Sequence, residues 1–329
     1  MLPAAYAAVD LGTNNCRMLV ARPSGRGFRV VDSFSRIVRL GEGLASSGRL
    51  TEAAVERTVD ALKVCAGKMR NHSVTRVRNV ATEACRRAEN CQVLLDRVEA
   101  ETGLVLEPIP AMEEARLTLA GCASLLDGRW PFGLVFDIGG GSTEATWVAQ
   151  SNTAPPRVLG VLSLPFGVVD LAEEYGCETV EPDQYARLVD GVDADLAAFD
   201  DEFGIAREIA RGRVQMLGTS GTVTTLGALY LNLPRYDRAR VDGLDMDFDG
   251  VASISATLSA MDRETRAANN CIGRARADLV VMGCAVLDAI CRRWPVGRVR
   301  VADRGIREGV LMGLMAADGT RPAVLPVDA

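Results

Sequence analysis

The chain has 329 residues, of which 48% are hydrophobic, and this length and composition predict about two domains, each with a buried core. With 37 lysines and arginines against 43 aspartates and glutamates, the net charge of −6 argues against a nucleic-acid binder, and no apolar stretch is long enough to span a membrane. Nine cysteines without a CxxC pair and a single histidine argue against ordinary zinc sites and histidine-dependent nucleophilic triads. We expect a cytoplasmic protein with reduced thiols and no signal peptide.

Strands and helices alternate through the first half of the sequence in the order β-β-β-α-β-α-β-α, which predicts a mixed sheet with helices packed on it. One strand ends near Asp10, and further strands are expected at residues 16–21, 28–31, 77–80 and 105–109. Helices are expected at residues 51–69, 90–102 and 112–126. Thr51 is a suitable N-cap for the first of these helices, and Gly103 is typical of the position after the end of the second.

A polar turn at residues 127–131 is the best candidate for a domain boundary, so we predict domains at residues 1–126 and 127–329. In the second domain, strands are expected at residues 134–137, 144–148, 158–164, 214–217 and 299–301. Helices are expected at residues 182–203, 249–261, 275–293 and 306–315, with another that opens at residues 218–222 and ends at residue 231. A C-terminal helix near residues 306–329 is a candidate to pack back on the first domain.

Two short segments follow apolar strands with an aspartate, glycine and small polar residues. The first contains Asp10, Gly12, Thr13 and Asn14, and the second contains Asp137, Gly139, Gly140, Gly141, Ser142 and Glu144. Glycine lets backbone N–H groups approach an anion, and carboxylates beside an anion require a cation, so phosphate with Mg²⁺ is the simplest ligand set. A hairpin with a flexible tip is the alternative for the second segment alone. Two copies 137 − 10 = 127 positions apart predict a duplicated fold with the ligand between its halves.

A third turn of small residues precedes a helix, whose N-terminal N–H groups also favour an anion. It contains Gly218, Ser220 and Gly221. Three such turns in one chain indicate phosphate binding. The sequence has no Walker A motif and no GxSxG, and the second segment is not a dinucleotide fingerprint because Glu144 stands where a glycine belongs.

These segments resemble motifs of the exopolyphosphatase/guanosine pentaphosphate phosphohydrolase family, and the resemblance extends over roughly residues 6–314. The matching blocks are residues 9–14, 81–86, 113–117, 137–144, 218–222 and 303–309. The resemblance implies an α/β fold of two duplicated ribonuclease-H-like domains of the acetate-and-sugar-kinase/Hsp70/actin superfold, with an interdomain cleft. It also implies a homodimer. Because the chain ends after the second domain, we expect a short form without the extra C-terminal helical domain of longer relatives.

The resemblance also implies roles, position by position. Glu114 corresponds to the general base that accepts a proton from the attacking water, and Glu113 is expected to be a helix-start residue. Asp137 and Glu144 correspond to carboxylates on the Mg²⁺ side, with Asp10 as a third candidate metal ligand. The substrate phosphates are expected to contact Gly12, Thr13, Asn14, Arg86, Gly139, Gly140, Gly141, Ser142, Gly218, Ser220 and Gly221. Glu83 departs from the family, which usually has a small hydroxyl residue there, and adds negative charge near Arg86.

We therefore expect an exopolyphosphatase that removes the terminal phosphate from inorganic polyphosphate with Mg²⁺ as cofactor. Hydrolysis of pppGpp to ppGpp is the alternative with the same chemistry, because both substrates present a terminal phosphoanhydride. Two other classes stay open: an actin-like or sugar-kinase ATPase, and an inactive sensor of polyphosphate or alarmone. Turnover of ATP would distinguish the first of these classes, and binding without turnover would distinguish the second.

Overall fold

A computed structural model describes residues 4–25, 27–176 and 180–319 of the chain. These residues form two compact units. Among the described residues, the first unit joins those up to 124 with residues 304–319, and the second unit contains those within 125–303. Cys177 and the end of the predicted C-terminal segment, residues 320–329, lie outside the described residues.

The strands of the described residues are numbered in chain order. They are β1 (Ala5–Leu11), β2 (Asn15–Ser24), β3 (Gly27–Ile37), β4 (Val74–Ala81), β5 (Leu106–Pro108), β6 (Phe132–Ile138), β7 (Thr143–Ala149), β8 (Arg157–Leu164), β9 (Val214–Thr219), β10 (Asp245–Asp247) and β11 (Arg298–Ala302). In the first unit they form a sheet in the order β3-β2-β1-β4-β5, and in the second unit a sheet in the order β10-β11-β9-β6-β7-β8. Both sheets are mixed, which confirms the sheet type predicted for the first half.

The helices of the same residues are also numbered in chain order. They are α1 (Leu44–Ser47), α2 (Glu52–Asn71), α3 (Glu83–Arg87), α4 (Cys91–Thr102), α5 (Ala111–Cys122), α6 (Val168–Tyr175), α7 (Pro182–Phe203), α8 (Ile205–Ala210), α9 (Gly221–Tyr230), α10 (Arg238–Val241), α11 (Phe248–Ala260), α12 (Arg263–Ala268), α13 (Val280–Arg293) and α14 (Ile306–Ala317).

Local signals in the sequence account for several helix ends. The side chain of Thr51 accepts a hydrogen bond from the N–H of Ala54 at 3.2 Å and caps α2, as predicted. Gly103 takes a φ of 72° and ends α4, and Gly204, with a φ of 62°, ends α7. The helix predicted for residues 275–293 begins instead at Val280. Turns replace its expected first residues, where the carbonyl of Gly273 accepts two N–H groups.

In the first unit, helices cover both faces of the sheet. Alternate residues of β1 point to opposite faces, so Ala7, Val9 and Leu11 pack with α2 and α4, whereas Tyr6 and Ala8 pack with α14. The two sides form separate clusters of buried apolar side chains. The C-terminal helix α14 is therefore a structural part of the first unit.

The helices α5 and α14 lie unusually close because glycines line their contact. A Cβ atom at Gly309 would lie 2.0 Å from the carbonyl oxygen of Leu117, and one at Gly121 would lie 2.0 Å from that of Gly305. No other residue type fits either position without a shift of backbone. This contact fixes α5, which carries Glu114 in its first turn.

The second unit has its own core, in which α13 is the most buried helix. Most residues of α13 are inaccessible to solvent, and Trp147 and Trp294 are 2% and 0% exposed. No helix among the described residues combines the length and apolar character needed to cross a bilayer. The eight described cysteines carry free thiols, and all except the half-buried Cys291 are buried.

Candidate active site

Three predicted site segments of the first unit follow the carboxyl ends of adjacent parallel strands. Strands β1, β4 and β5 run parallel. The turn at residues 12–14 follows β1, Arg86 follows β4 on α3, and Glu114 follows β5 on α5. The N–H of Thr82 bonds to the carbonyl of Leu11 at 3.1 Å, which ties the first two segments together. This edge is where open α/β sheets usually bind ligands.

The second unit repeats this arrangement. Strands β6, β9 and β11 run parallel, with β9 in the middle. The glycine turn at residues 139–142 follows β6, the turn at Ser220 follows β9, and Asp303 follows β11. Asp303 accepts a hydrogen bond from the hydroxyl of Tyr236 at 2.6 Å. The sequence motifs therefore gather at the same edge of the sheet within each unit.

The two glycine hairpins close in the same way. The N–H of Gly12 bonds to the carbonyl of Asn15 at 2.9 Å, and the N–H of Gly139 bonds to the carbonyl of Ser142 at 2.9 Å. The intervening residues, 13–14 and 140–141, donate no backbone hydrogen bond to any of the described residues. Their N–H groups can therefore serve an anion in each unit.

Backbone carbonyl groups of both hairpins accept hydrogen bonds from neighbouring segments of the same unit. The carbonyl of Asn14 accepts the N–H groups of Val38 and Arg39, at 2.9 and 3.0 Å. In the second unit, the carbonyls of Gly139 and Gly140 accept the N–H groups of residues 168 and 169 at the start of α6. A Cβ atom at Gly167 would lie 2.4 Å from the carbonyl oxygen of Gly139, so α6 approaches the turn through glycine. These carbonyl oxygens of the two hairpins therefore already accept hydrogen bonds within the protein.

Asp137 and Glu144 are direct neighbours across the second hairpin. The register of β6 and β7 pairs them, that of β7 and β8 pairs Glu144 with Ser163, and that of β6 and β9 pairs Asp137 with Thr219. Cross-strand partners share one face of a sheet, with Cβ atoms typically about 5 Å apart. Glu144 is 4% exposed, and Ser163 donates its hydroxyl to Oε1 of Glu144 at 3.1 Å. Two carboxylates therefore stand side by side next to the glycine turn.

Asp10 has a different neighbour in the first hairpin. Its partner across β1 and β2 is Arg17, at the position that corresponds to Glu144. Burial raises the pKa of the Asp10 carboxyl, against the opposing effects of the positive charges of Arg17 and Arg307. The first hairpin therefore offers one carboxylate that faces an arginine, whereas the second offers two carboxylates.

The donor set of the second hairpin fits Mg²⁺. This ion prefers oxygen ligands and is usually held by one or two carboxylates together with substrate phosphates. Asp137 and Glu144 supply two such carboxylates, and Asp10 fits less well because it faces Arg17. Within residues 4–25, 27–176 and 180–319, there is no group of three or more histidine, cysteine, aspartate or glutamate side chains suited to hold a metal.

Glu114 forms part of a buried ionic cluster. Its Oε2 accepts a hydrogen bond from Nη1 of Arg86 at 2.6 Å, and Nη2 of Arg86 reaches Oε2 of Glu83 at 2.6 Å. The side chains of Glu83, Arg86 and Glu114 are 11%, 19% and 10% exposed. The negative charges of Glu114 and Glu83 raise the pKa of Arg86 despite its burial, so one cation is shared between two carboxylates. Glu113 instead pairs with Arg78 at 2.5 Å.

The third turn carries a strained residue at the start of α9. Ser220 has φ 108° and ψ 173°, a conformation that favours glycine, and its Oγ is buried without a hydrogen-bond partner among the described residues. Gly218 lies against Phe136, where a Cβ atom would be 2.5 Å from the ring. Gly221 begins the helix, and its N–H is one of the N-terminal donors that lack an acceptor within a helix.

Sequence reasoning expected negative charge from Glu83 near Arg86, but it did not find their hydrogen-bonded ion pair or the contact of Ser163 with Glu144. Glu83 and Arg86 are three positions apart, a spacing that brings side chains together on a helix, but residues 83–87 were not predicted as a helix. Ser163 lies in a correctly predicted strand. Its position opposite Glu144 depends on a register that includes an irregularity between Trp147 and Val148.

Comparison with known proteins identifies the family of the chain. A model of the Ppx/GppA phosphatase family matches residues 19–318. The chain belongs to the Ppx/GppA phosphatase family. This match covers most of the chain and confirms the resemblance inferred from the sequence motifs.

Two curated Ppx/GppA relatives carry different names. Exopolyphosphatase 2 of Mycobacterium tuberculosis is 30% identical over 339 residues, and the match covers 94% of this chain and 98% of that protein. Guanosine-5'-triphosphate,3'-diphosphate pyrophosphatase of Aeromonas salmonicida is 29% identical over 311 residues, which are 94% of this chain but 59% of that protein. The prediction of a phosphoanhydride hydrolase is confirmed at the level of the family and these relatives.

A solved structure supports the fold class. The Ppx/GppA family member of Aquifex aeolicus is 28% identical and superposes with a TM-score of 0.79, covering 96% of this chain and 98% of that chain. Together with the two mixed sheets, this similarity confirms the predicted α/β fold of the actin-like acetate-and-sugar-kinase/Hsp70/actin superfold.

Proposed function

We propose that this chain is an exopolyphosphatase that hydrolyses the terminal phosphate of inorganic polyphosphate, with Mg²⁺ as cofactor and Glu114 as general base. The observation that carries the proposal is the buried carboxylate of Glu114, which is held at the start of α5 by Arg86 at 2.6 Å. A carboxylate fixed in this way can accept a proton without first reorienting.

The proposed reaction is attack by water on the terminal phosphorus. Glu114 accepts a proton from the water as its oxygen bonds to phosphorus, and the bond from phosphorus to the bridging oxygen breaks. The products are orthophosphate and a polyphosphate shorter by one unit, and the proton on Glu114 returns to solvent or product. The N–H groups of residues 13–14 and 140–141 are the proposed donors to phosphate oxygens, on which charge builds in the transition state.

Asp137 and Glu144 would hold the Mg²⁺ ion, with Asp10 as a further candidate ligand. When bound, the ion would neutralise charge on the phosphate oxygens. The hydroxyl of Ser163 supports this assignment, because a hydrogen bond to Oε1 of Glu144 restricts the carboxylate to one orientation.

Two features favour polyphosphate over pppGpp as the substrate. The exopolyphosphatase relative matches along 98% of its length, whereas the pppGpp-cleaving relative matches along 59%. In addition, the proposed contacts involve only phosphate groups. Hydrolysis of pppGpp to ppGpp is the second candidate, supported by the 29% identity to that relative. The family resemblance further supports a homodimer, which sedimentation analysis of the purified chain would test. The scattered cysteines, none of them in a CxxC pair, support a cytoplasmic location.

The central test is phosphate release from polyphosphates of several lengths, from pppGpp and from ATP, with Mg²⁺ and with EDTA. We expect release from polyphosphate that requires Mg²⁺, and a fall of about 10²–10⁴ in kcat for Glu114→Gln, because general base catalysis contributes that much. Glu113→Gln is the matched control. It removes the same charge from the adjacent residue, which pairs with Arg78, and should keep the native rate.

Equal rates for native protein and Glu114→Gln would remove Glu114 from this role. Turnover of ATP without release from polyphosphate would instead identify a kinase-like or actin-like ATPase. Tight binding of polyphosphate without any turnover would identify a sensor.

A further inference from the structure

The hydrogen-bond donors of Arg86 are almost fully used within the protein. A guanidinium group has five N–H donors. Nε and Nη2 of Arg86 donate to Oε2 of Glu83 at 2.9 and 2.6 Å, and Nη1 donates to the carbonyl of Ile109 at 2.9 Å and to Glu114 at 2.6 Å. Four of the five donors are therefore engaged, and the fifth is on Nη2.

This arrangement prevents the usual contact between arginine and phosphate. Arginine binds phosphate best with two parallel N–H groups. Glu83 occupies the edge formed by Nε and Nη2, and the other edge is used by Ile109 and Glu114. A bidentate contact with substrate thus requires Arg86 to leave Glu83 or Glu114.

The position of Glu83 allows it to determine whether Arg86 contacts the protein carboxylates or the substrate phosphate. It lies on the same short helix as Arg86, and the two charged groups form a contact that is mostly shielded from water, where ion pairs are screened little. The cluster contains two carboxylates and one guanidinium, so Arg86 is not a free positive charge toward a polyanion.

We propose, on the basis of the function proposed above, that Glu83 is a positioning residue that retains Arg86 on Glu114 and withholds it from the substrate phosphates. Glu83 thereby favours a fixed general base at the expense of substrate affinity. Without Glu83, the edge of Arg86 formed by Nε and Nη2 turns toward phosphate, so the substrate binds more tightly while the contact of Nη1 with Glu114 is loosened.

The test is the kinetics of Glu83→Ser and Glu83→Gln with polyphosphate and Mg²⁺. Serine is too short to reach Arg86, so Glu83→Ser should lower KM about tenfold, the worth of one charge-assisted hydrogen bond, and lower kcat by a similar factor. Glutamine keeps an acceptor oxygen but loses the charge, so Glu83→Gln should fall between Glu83→Ser and native protein. A merely structural role would not produce opposite effects on affinity and turnover.

Two controls separate this action from a general charge effect. Glu113→Gln removes one negative charge next to Glu114 but leaves the Glu83–Arg86 contact, so its KM should stay native. The second control is a double-mutant cycle. The double variant Arg86→Gln, Glu83→Ser should have the same KM as Arg86→Gln alone, because Arg86 is the residue through which Glu83 acts. A fall in KM of the same size in Glu113→Gln, or in the Arg86→Gln background, would overturn the proposal.

Binding without turnover distinguishes this inference from the proposed function. Calorimetric titration with inorganic tripolyphosphate in EDTA should show about tenfold tighter binding by Glu83→Ser than by native protein. Tighter binding in a protein that hydrolyses nothing would support the role of Glu83 and contradict the proposed function. Unchanged binding and KM, in a protein that depends on Glu114 for hydrolysis, would overturn the role of Glu83 alone. If thermal melting shows Glu83→Ser to be unfolded, the binding and KM of Glu83→Gln are compared with those of native protein instead, and the expected changes have the same direction but a smaller size.

Discussion

Ser220 is held in a backbone conformation that glycine adopts far more readily. A residue other than glycine with φ near 108° costs about 1–3 kcal/mol. The hydroxyl offers no compensation within the described residues, because its oxygen is buried without a partner. Such strain is typical of sites where a side chain is retained for a ligand, and here the turn lies between β9 and α9.

Replacement of Ser220 by glycine should therefore stabilise the protein and weaken substrate binding. We expect the free energy of unfolding to rise by about 1–2 kcal/mol, because the backbone strain and the buried unpartnered hydroxyl are both removed. KM for polyphosphate should rise severalfold. Denaturant unfolding and steady-state kinetics measure the two effects.

Ser73→Gly is the matched control for this change. Ser73 also has a positive φ, of 51°, but it is exposed and lies between α2 and β4, away from the site segments. This variant should gain stability with no change in KM. An unaltered KM in Ser220→Gly would show that the hydroxyl does not contact substrate.

Individual site residues could be predicted from the sequence where the local turn itself requires a particular residue type. The aspartates at strand ends and the glycines of the turns could be found because such turns require those residue types. The contact of Arg86 with Glu114 could not be found, because the two residues are 114 − 86 = 28 positions apart and lie on different helices.

Among the elements, the contact between α5 and α14 determines where Glu114 lies. The helices touch through backbone, with room only for glycine at positions 121 and 309. The N–H of Gly305 bonds to Oε2 of Glu308 at 2.9 Å and secures the start of α14. Changes at this contact should therefore affect catalysis from a distance.

Gly309→Ala should lower both stability and activity. The added methyl group would lie 2.0 Å from the carbonyl oxygen of Leu117, so the helices must separate, and overpacking of this kind costs about 1–3 kcal/mol. Displacement of α5 should also lower kcat, because Glu114 lies in its first turn. Urea unfolding and initial rates provide the measurements.

Gly313→Ala, one turn later in α14, is the control. It is exposed and has nothing within 4 Å of the new methyl group, so alanine should stabilise the helix by about 0.5–1 kcal/mol. Equal stability changes in the two variants would argue against close packing as the role of Gly309.

The elements that sequence reasoning predicted well are long or clearly capped. The helix predicted at residues 182–203 has those bounds, with proline at its start and glycine after its end. Short helices such as α6 and α12 were not predicted, because eight and six residues span too few turns to show a period. The late start of α13 depends on turns closed by Gly273, which helix propensity does not reveal.

At the scale of the whole molecule, each unit has its own core, and the core of the first unit includes a helix from a distant part of the chain. Four side chains of α14, Ile306, Val310, Leu311 and Met315, cover one face of the first sheet. Their burial contributes roughly 6–12 kcal/mol at about 1.5–3 kcal/mol each, which is comparable to the stability of an entire domain.

A chain that ends at Asp303 should therefore contain an unfolded first unit and a folded second unit. All three tryptophans of the sequence, Trp130, Trp147 and Trp294, lie in the second unit. Far-UV circular dichroism should lose helical signal, whereas tryptophan emission should keep its native wavelength and its cooperative unfolding transition. Full retention of the helical signal would show that the first unit folds without α14.

The register of the second hairpin restricts how this segment can evolve. Asp137 and Glu144 face each other because of the register of β6 and β7. In every directly opposed pair of these strands the two residue numbers have the same sum, and Asp137 and Glu144 are one such pair. Insertion or deletion of one residue in the loop changes that sum by one and sends one carboxylate to the far side of the sheet. Substitutions within the loop leave this parity intact, so a homologue aligned without a gap between the two acids can keep the pair, whereas one with a single-residue gap has lost it.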